Sequence, residues 1–149
     1  MTHPTTTPSA PGAAVLVIRD GVKLINKGYG MANLKTETAI APNTIFELAS
    51  CSKQFTAMAI MILAERGQLR YEDKLTKFFP QFAAWADKVT VEQLLHHTSG
   101  LPDYFEAYEK SSLEGIPTGK DMLRLIAKKR RPVFAPGSQY EYSNSGYMV

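Results

Sequence analysis

The chain has 149 residues, 44% of them hydrophobic and 21% charged, a balance that fits one globular domain and excludes a mainly disordered chain, a fibre or a repeat array. A chain of this length can bury roughly 68–70% of its unfolded surface, so the single cysteine, Cys51, leaves no need of a disulfide staple and decides nothing about redox compartment. Seventeen Lys and Arg against fourteen Asp and Glu give a net charge of +3, too mild to name a nucleic acid as partner.

Residues 1–12 are rich in Thr, Pro and Ser and are expected to be a flexible lead-in. They lack the apolar core of an export signal, so the chain as written reads as cytoplasmic, with a periplasmic or secreted origin left open. No window approaches the roughly 20 apolar residues of a membrane span. Residues 13–149 are then the folded part. Residues 13–18 and 22–25 are apolar runs flanking Asp20-Gly21, which predicts a tight hairpin, and Gly28, Tyr29 and Gly30 are expected to break its second strand. Pro42 and Asn43 mark a loop before a short apolar stretch at 45–48.

From Ser50 onward Phe55, Met58, Ala59, Ile62 and Leu63 recur at helical steps, and Gly67 is placed to stop the helix. Ile60 and Met61 make it apolar around most of its circumference, which predicts a buried helix with Met58 and Met61 as core filling. Thr90 followed by Gln93 is a capping-box pattern ahead of a second helix that Ser99-Gly100 and Pro102 would end, and residues 121–129 read as a third, with the basic cluster 128–131 favouring its C-terminal end. Strands followed by a mostly helical stretch define an α+β class. A lone hairpin is marginal, and the apolar ending Tyr147, Met148 and Val149 carries no cap; both point to the front part of something longer.

Ser50 and Lys53 stand three apart where loop becomes helix, so the two side chains share a face. That spacing suits a nucleophile and its base, beside helix N–H groups able to stabilise developing negative charge. A lysine at its reference pKa of about 10.4 is neutral in roughly one molecule in 2,500 at pH 7, so the base role requires burial or a positive helix end to favour the neutral amine. Roughly 0.7 S-x-x-K matches arise by chance in this composition, and the competing reading of Ser50 is a helix N-cap. Ser52 has Phe55 three residues on and lacks the partner. Tyr142 and Asn144 alternate after Pro136-Gly137; in an extended segment they would present a phenol for proton transfer and an amide for a substrate carbonyl, the plain alternative being a Tyr- and Asn-rich turn. His96 and His97 point to different helix faces without an acidic or cysteine companion and read as structural, as does Trp85, while neither 28–30 nor 115–120 completes a phosphate loop.

Taken together, Gly28-Tyr29-Gly30-Met31-Ala32-Asn33, Phe46-Glu47-Leu48-Ala49-Ser50-Cys51-Ser52-Lys53-Gln54-Phe55-Thr56, His97-Thr98-Ser99-Gly100-Leu101-Pro102 and Tyr142-Ser143-Asn144-Ser145-Gly146-Tyr147 resemble, in order, the serine β-lactamase-related family of class C β-lactamases, D-alanyl-D-alanine carboxypeptidases and family VIII esterases. The resemblance implies the β-lactamase/penicillin-binding-protein-like fold, an antiparallel sheet plus a helical region, incomplete in this chain. It implies Ser50 as acylated nucleophile, Lys53 as its base partner, Tyr142 as proton shuttle to the leaving group and Asn144 as substrate binder, with no metal or organic cofactor.

The family's third motif, Lys or His, a small residue, then Gly, does not follow Asn144. Its strand also donates an oxyanion N–H, whose loss costs about 100–1,000-fold in rate. The chain alone is therefore expected to be nearly inactive, and its full-length parent a serine hydrolase. Expected substrates are small esters, amides or peptides with a D-residue ahead of a β-lactam, with residues 103–120 as a specificity-setting rim loop. The alternative is a non-catalytic binding or assembly half that self-associates or takes up a complementing C-terminal half to complete its sheet.

Overall fold

The computed structural model describes residues 9–82, 84–111, 115 and 117–149, and the chain divides into two compact units, Met1–Ala49 and Ser50–Val149. Residues 1–8 of the expected flexible lead-in lie outside the described residues. At the end of that segment the Ala10 carbonyl accepts the Met31 N–H at 2.9 Å and Pro11 bridges Met31 in parallel.

In the first unit β1 (Ala13–Arg19) and β2 (Val22–Tyr29) pair antiparallel from Ala13↔Tyr29 to Arg19↔Val22. Asp20 and Gly21 turn the chain at φ of 50° and 77°, the positive values a two-residue hairpin requires. A register shift between Val17 and Ile18 leaves Leu24 as an extra residue on β2 and bends the ribbon. The second strand runs through Gly28, contrary to the expected break. A Cβ at Gly28 would lie 2.0 Å from the Ile40 carbonyl oxygen, so this glycine permits a close backbone approach within the ladder. The strand stops at Gly30, whose φ is 68°. A second small hairpin, β3 (Met31–Asn33) with β4 (Thr38–Ala39), was absent from the sequence expectation. Its strands are too short to show an alternating pattern, and its turn is closed by the Asn33 side chain accepting the Lys35 and Thr36 N–H groups. The apolar stretch 45–48 forms no regular element, and Ile45 is 96% exposed.

A 3₁₀ turn (Ala49–Ser52) begins on the last residue of the first unit and runs into α1 (Lys53–Glu65) of the second. The expectation that α1 is buried is not met: it contains no buried residue, and Phe55 is 64% exposed. Thr56, Ile60 and Leu63 line an apolar cavity of about 300 Å³ with Leu69, Leu75 and Leu94, whereas Phe55, Met58 and Met61 meet solvent. This unit covers one face of a helix whose composition asks for cover on most of its surface.

The core lies instead among α2 (Leu75–Phe78), α3 (Val91–Leu95) and α5 (Gly119–Ala127), where Leu75, Phe82, Ala86, Val89, Leu94, Leu101 and Ile126 form one cluster. Trp85 packs against it and donates its indole N–H to the Lys129 carbonyl at 3.1 Å. The Thr90/Gln93 capping box forms as expected, with Gln93 N–H donating to Thr90 Oγ1 at 3.2 Å and Thr90 N–H to Gln93 Oε1 at 3.1 Å. A second box, Thr118 with Asp121, starts α5 two residues ahead of the expected helix. Ile126 is fully buried. Ile126→Ala is expected to destabilise the unit by about 2–5 kcal/mol, read as a lower urea midpoint of Trp85 fluorescence, whereas an unchanged midpoint would move the core elsewhere.

Candidate active site

Ala49 enters the 3₁₀ turn at φ 46°, a left-handed value that costs a non-glycine residue roughly 1–3 kcal/mol. One turn of helix then separates Ser50 from Lys53, and the Lys53 Nζ donates to Ser50 Oγ at 3.2 Å. Ser52 stands at the helix N-cap without a side-chain capping bond. Among the described residues the Ser50 hydroxyl bonds to Tyr142 and Lys53, not to a helix N–H.

Tyr142 and Asn144 arrive from a segment without regular structure, held in place by a second loop. Residues 97–102 supply carbonyls to it: His97 to the Glu141 N–H at 2.9 Å, Thr98 to the Gly137 N–H at 2.8 Å, Gly100 to the Val133 N–H at 2.9 Å and Pro102 to the Ser145 hydroxyl at 2.7 Å. Glycine at position 100 makes this contact available, since its φ is 68° and a Cβ there would sit 2.2 Å from the Phe134 carbonyl oxygen. Two side chains continue the ladder: Ser143 N–H donates to His97 Nδ1 at 3.2 Å, and Asn144 N–H to Asp103 Oδ2 at 3.1 Å.

The result joins groups more than 90 positions apart in sequence. Ser50 Oγ and Tyr142 Oη are 2.6 Å apart, and Lys53 Nζ donates to Asn144 Oδ1 at 2.9 Å while lying 4.9 Å from the Tyr142 ring centroid. All four residues singled out in the sequence, Ser50, Lys53, Tyr142 and Asn144, thus meet in one hydrogen-bonded cluster. Hydrogen bonding with Lys53, then with Ser50, and the positive charge of Lys53 hold the Tyr142 phenol below the ordinary tyrosine range, against opposing contributions from burial and Asp103. Such an arrangement can take a proton from a serine hydroxyl and return it to a departing group.

Asp103 escaped the sequence reading. Its signal was an Asp directly after Pro102, a helix N-cap: Asp103 Oδ1 accepts the Phe105 N–H at 2.8 Å and starts α4 (Tyr104–Glu109). The expected rim loop 103–120 is therefore helical over its first part, and its residues 112–114 and 116 lie outside the described residues. No group of three or more metal-ligating side chains occurs among the described residues, and no helix there is long and apolar enough to cross a membrane.

A family model described as Beta-lactamase matches residues 2–149. Penicillin-binding protein 4* of Bacillus subtilis is 36% identical over 137 residues, which cover 91% of this chain and 30% of that protein. The octameric penicillin-binding protein homologue from Pyrococcus abyssi superposes with a TM-score of 0.78 at 32% identity, over 95% of this chain and 34% of that one. D-amino acid amidase from Ochrobactrum anthropi does so with a TM-score of 0.70 at 25% identity, over 89% of this chain and 36% of that one. The chain belongs to the beta-lactamase family. Its α+β architecture is that of the family's β-lactamase and penicillin-binding-protein structures, and it spans about a third of the length of the relatives it matches.

Proposed function

We propose that this chain carries the acylation centre of a serine hydrolase acting on small esters or amides. The observation behind the reading is the cluster itself: a hydroxyl at 2.6 Å from a phenol that a neighbouring lysine acidifies, with an amide held on the same lysine. Ser50 Oγ attacks the substrate carbonyl carbon while its proton passes to Tyr142, deprotonated beforehand with the help of Lys53. The scissile C–N or C–O bond then breaks, Tyr142 returns the proton to the leaving amine or alcohol, and water later cleaves the Ser50 ester. Lys53 keeps Asn144 Oδ1 fixed, which leaves the Asn144 amide N–H₂ free to meet a substrate carbonyl.

Because the chain spans about a third of its relatives, turnover is assigned to a protein that also has the remainder, and this chain to the acyl-acceptor step. D-aminoacyl amides are the first substrates to try, given the likeness to a D-amino acid amidase. The depressed phenol makes a signed prediction. A group whose pKa is lowered gives up its proton at lower pH, so the rate of Ser50 labelling by a fluorophosphonate should climb with pH and level off below the ordinary tyrosine value of 10.0. Tyr142→Phe should lose about 100-fold in that rate and flatten the climb. An unaltered pH profile in that variant would remove Tyr142 from the proton path.

A second reading has its own observation. Every residue of β1 is exposed, as are seven of the eight in β2. Val15, Leu16, Val17 and Ile18 are successive and so lie on both faces of the ribbon. A ribbon apolar on both faces, with edges unpaired among the described residues, suits an assembly half that pairs with another chain. Sedimentation would support this with a concentration-dependent dimer; a monomer at every concentration would sink it.

A further inference from the structure

α3 ends in a Schellman arrangement: Thr98 N–H donates to the Gln93 carbonyl at 2.9 Å and His97 N–H to the Leu94 carbonyl at 3.3 Å. The left-handed position of that motif ordinarily belongs to glycine, yet here it is His97, at φ 58°. A side chain kept where the backbone prefers none has a reason in its contacts. The imidazole packs tilted against Tyr142 with centroids 4.5 Å apart, against Tyr147 at 5.3 Å and edge-on to Tyr140 at 6.0 Å, and Nδ1 accepts the Ser143 N–H at 3.2 Å. Ser143 is the residue between Tyr142 and Asn144.

We propose that His97 is a proton-sensitive positioning residue: its neutral ring holds the Ser143 amide and the Tyr142 ring, and protonation of Nδ1 releases the 142–144 segment from Ser50 and Lys53. An imidazolium has no lone pair at Nδ1, so the Ser143 N–H would face another N–H. The ionisable groups around the ring are Lys53 from α1, the phenols Tyr140 and Tyr142 from the same segment as Ser143, Tyr147 beyond it, and Asp103 on the next amide along. Burial, then the charge of Lys53, holds the imidazole below the ordinary histidine value of 6.5, against an opposing contribution from the Ser143 backbone contact. The site is therefore assembled at neutral pH and dismantled as pH falls below that value.

This inference rests on the hydrolase reading for its consequence but not for its geometry, and the experiment separates them. Two substitutions divide backbone from side chain. His97→Gly suits the left-handed backbone and removes the ring; His97→Asn tolerates that backbone and offers Oδ1 as an acceptor without a titrating proton. In ¹⁵N NMR of this chain the Ser143 and Asn144 amides should shift together with the His97 imidazole as pH is lowered, and in His97→Asn that transition should vanish. Fluorophosphonate labelling of Ser50 in wild type, already falling with pH through Tyr142, should fall by about a further tenfold per pH unit below the His97 pKa. His97→Asn should lose that acid limb while keeping most of the neutral-pH rate, and His97→Gly should label on the order of 10–100-fold more slowly at every pH while melting no lower than wild type. A Ser143 amide that stays still while His97 titrates overturns the proposal, as does a His97→Gly variant that labels at the wild-type rate. If Ser50 is labelled at no pH yet the Ser143 transition follows His97, the hydrolase reading fails and the positioning stands.

Discussion

Ser50→Ala is expected to reduce fluorophosphonate labelling of this chain to background, a loss of at least about 1,000-fold, with thermal unfolding unchanged. In the proposed mechanism labelling forms a P–O bond to Ser50 Oγ, expels fluoride and sends the hydroxyl proton to Tyr142, so it samples nucleophile activation without needing a complete substrate pocket. Ser50 is exposed and its hydroxyl bonds only within the cluster among the described residues, which is why the substitution should leave stability alone. Ser52, two positions on and also exposed, is the internal control: Ser52→Ala should label like wild type. Peptide mapping that finds the adduct unchanged in Ser50→Ala would remove the nucleophile assignment.

Lys53→Ala is expected to slow labelling by about 100–10,000-fold, because one side chain performs three tasks. It donates to Ser50 Oγ, holds Asn144 Oδ1, and acidifies Tyr142. The third task has a separate readout. Without Lys53 the Tyr142 phenol should titrate at higher pH, visible as the difference in 295 nm absorbance between Lys53→Ala and its Tyr142→Phe double variant. A Tyr142 titration indifferent to position 53 would show that the lysine does not set the phenol's acidity, whatever the rate does.

Local chemistry was the legible part of this chain. Asp20-Gly21 dictates its turn, Thr90 with Gln93 its cap, and the three-residue step from Ser50 to Lys53 puts both on one side of a helix, because each depends on neighbours within a few positions. The order of motifs was enough to indicate family. What stayed hidden depends on distant partners. Gly28 looked like a strand breaker because its carbonyl neighbour, Ile40, is twelve residues away. The apolar circumference of α1 was read as burial, but periodicity reports what a helix needs covered, not whether cover is present. His97 was read as structural on its lack of ligand companions, and its contact with Ser143 is set by the meeting of two loops that no spacing rule predicts.

The bare ribbon of β1 and β2 bears on how such a chain survives in a cell. Seven successive exposed residues, Val15 to Ile18 among them, form the kind of segment that seeds cross-β aggregates when left unguarded. Lys23 and Lys27 on the neighbouring strand act as gatekeepers against that outcome. Their replacement by valine is expected to promote aggregation and to leave fluorophosphonate labelling of Ser50 unchanged.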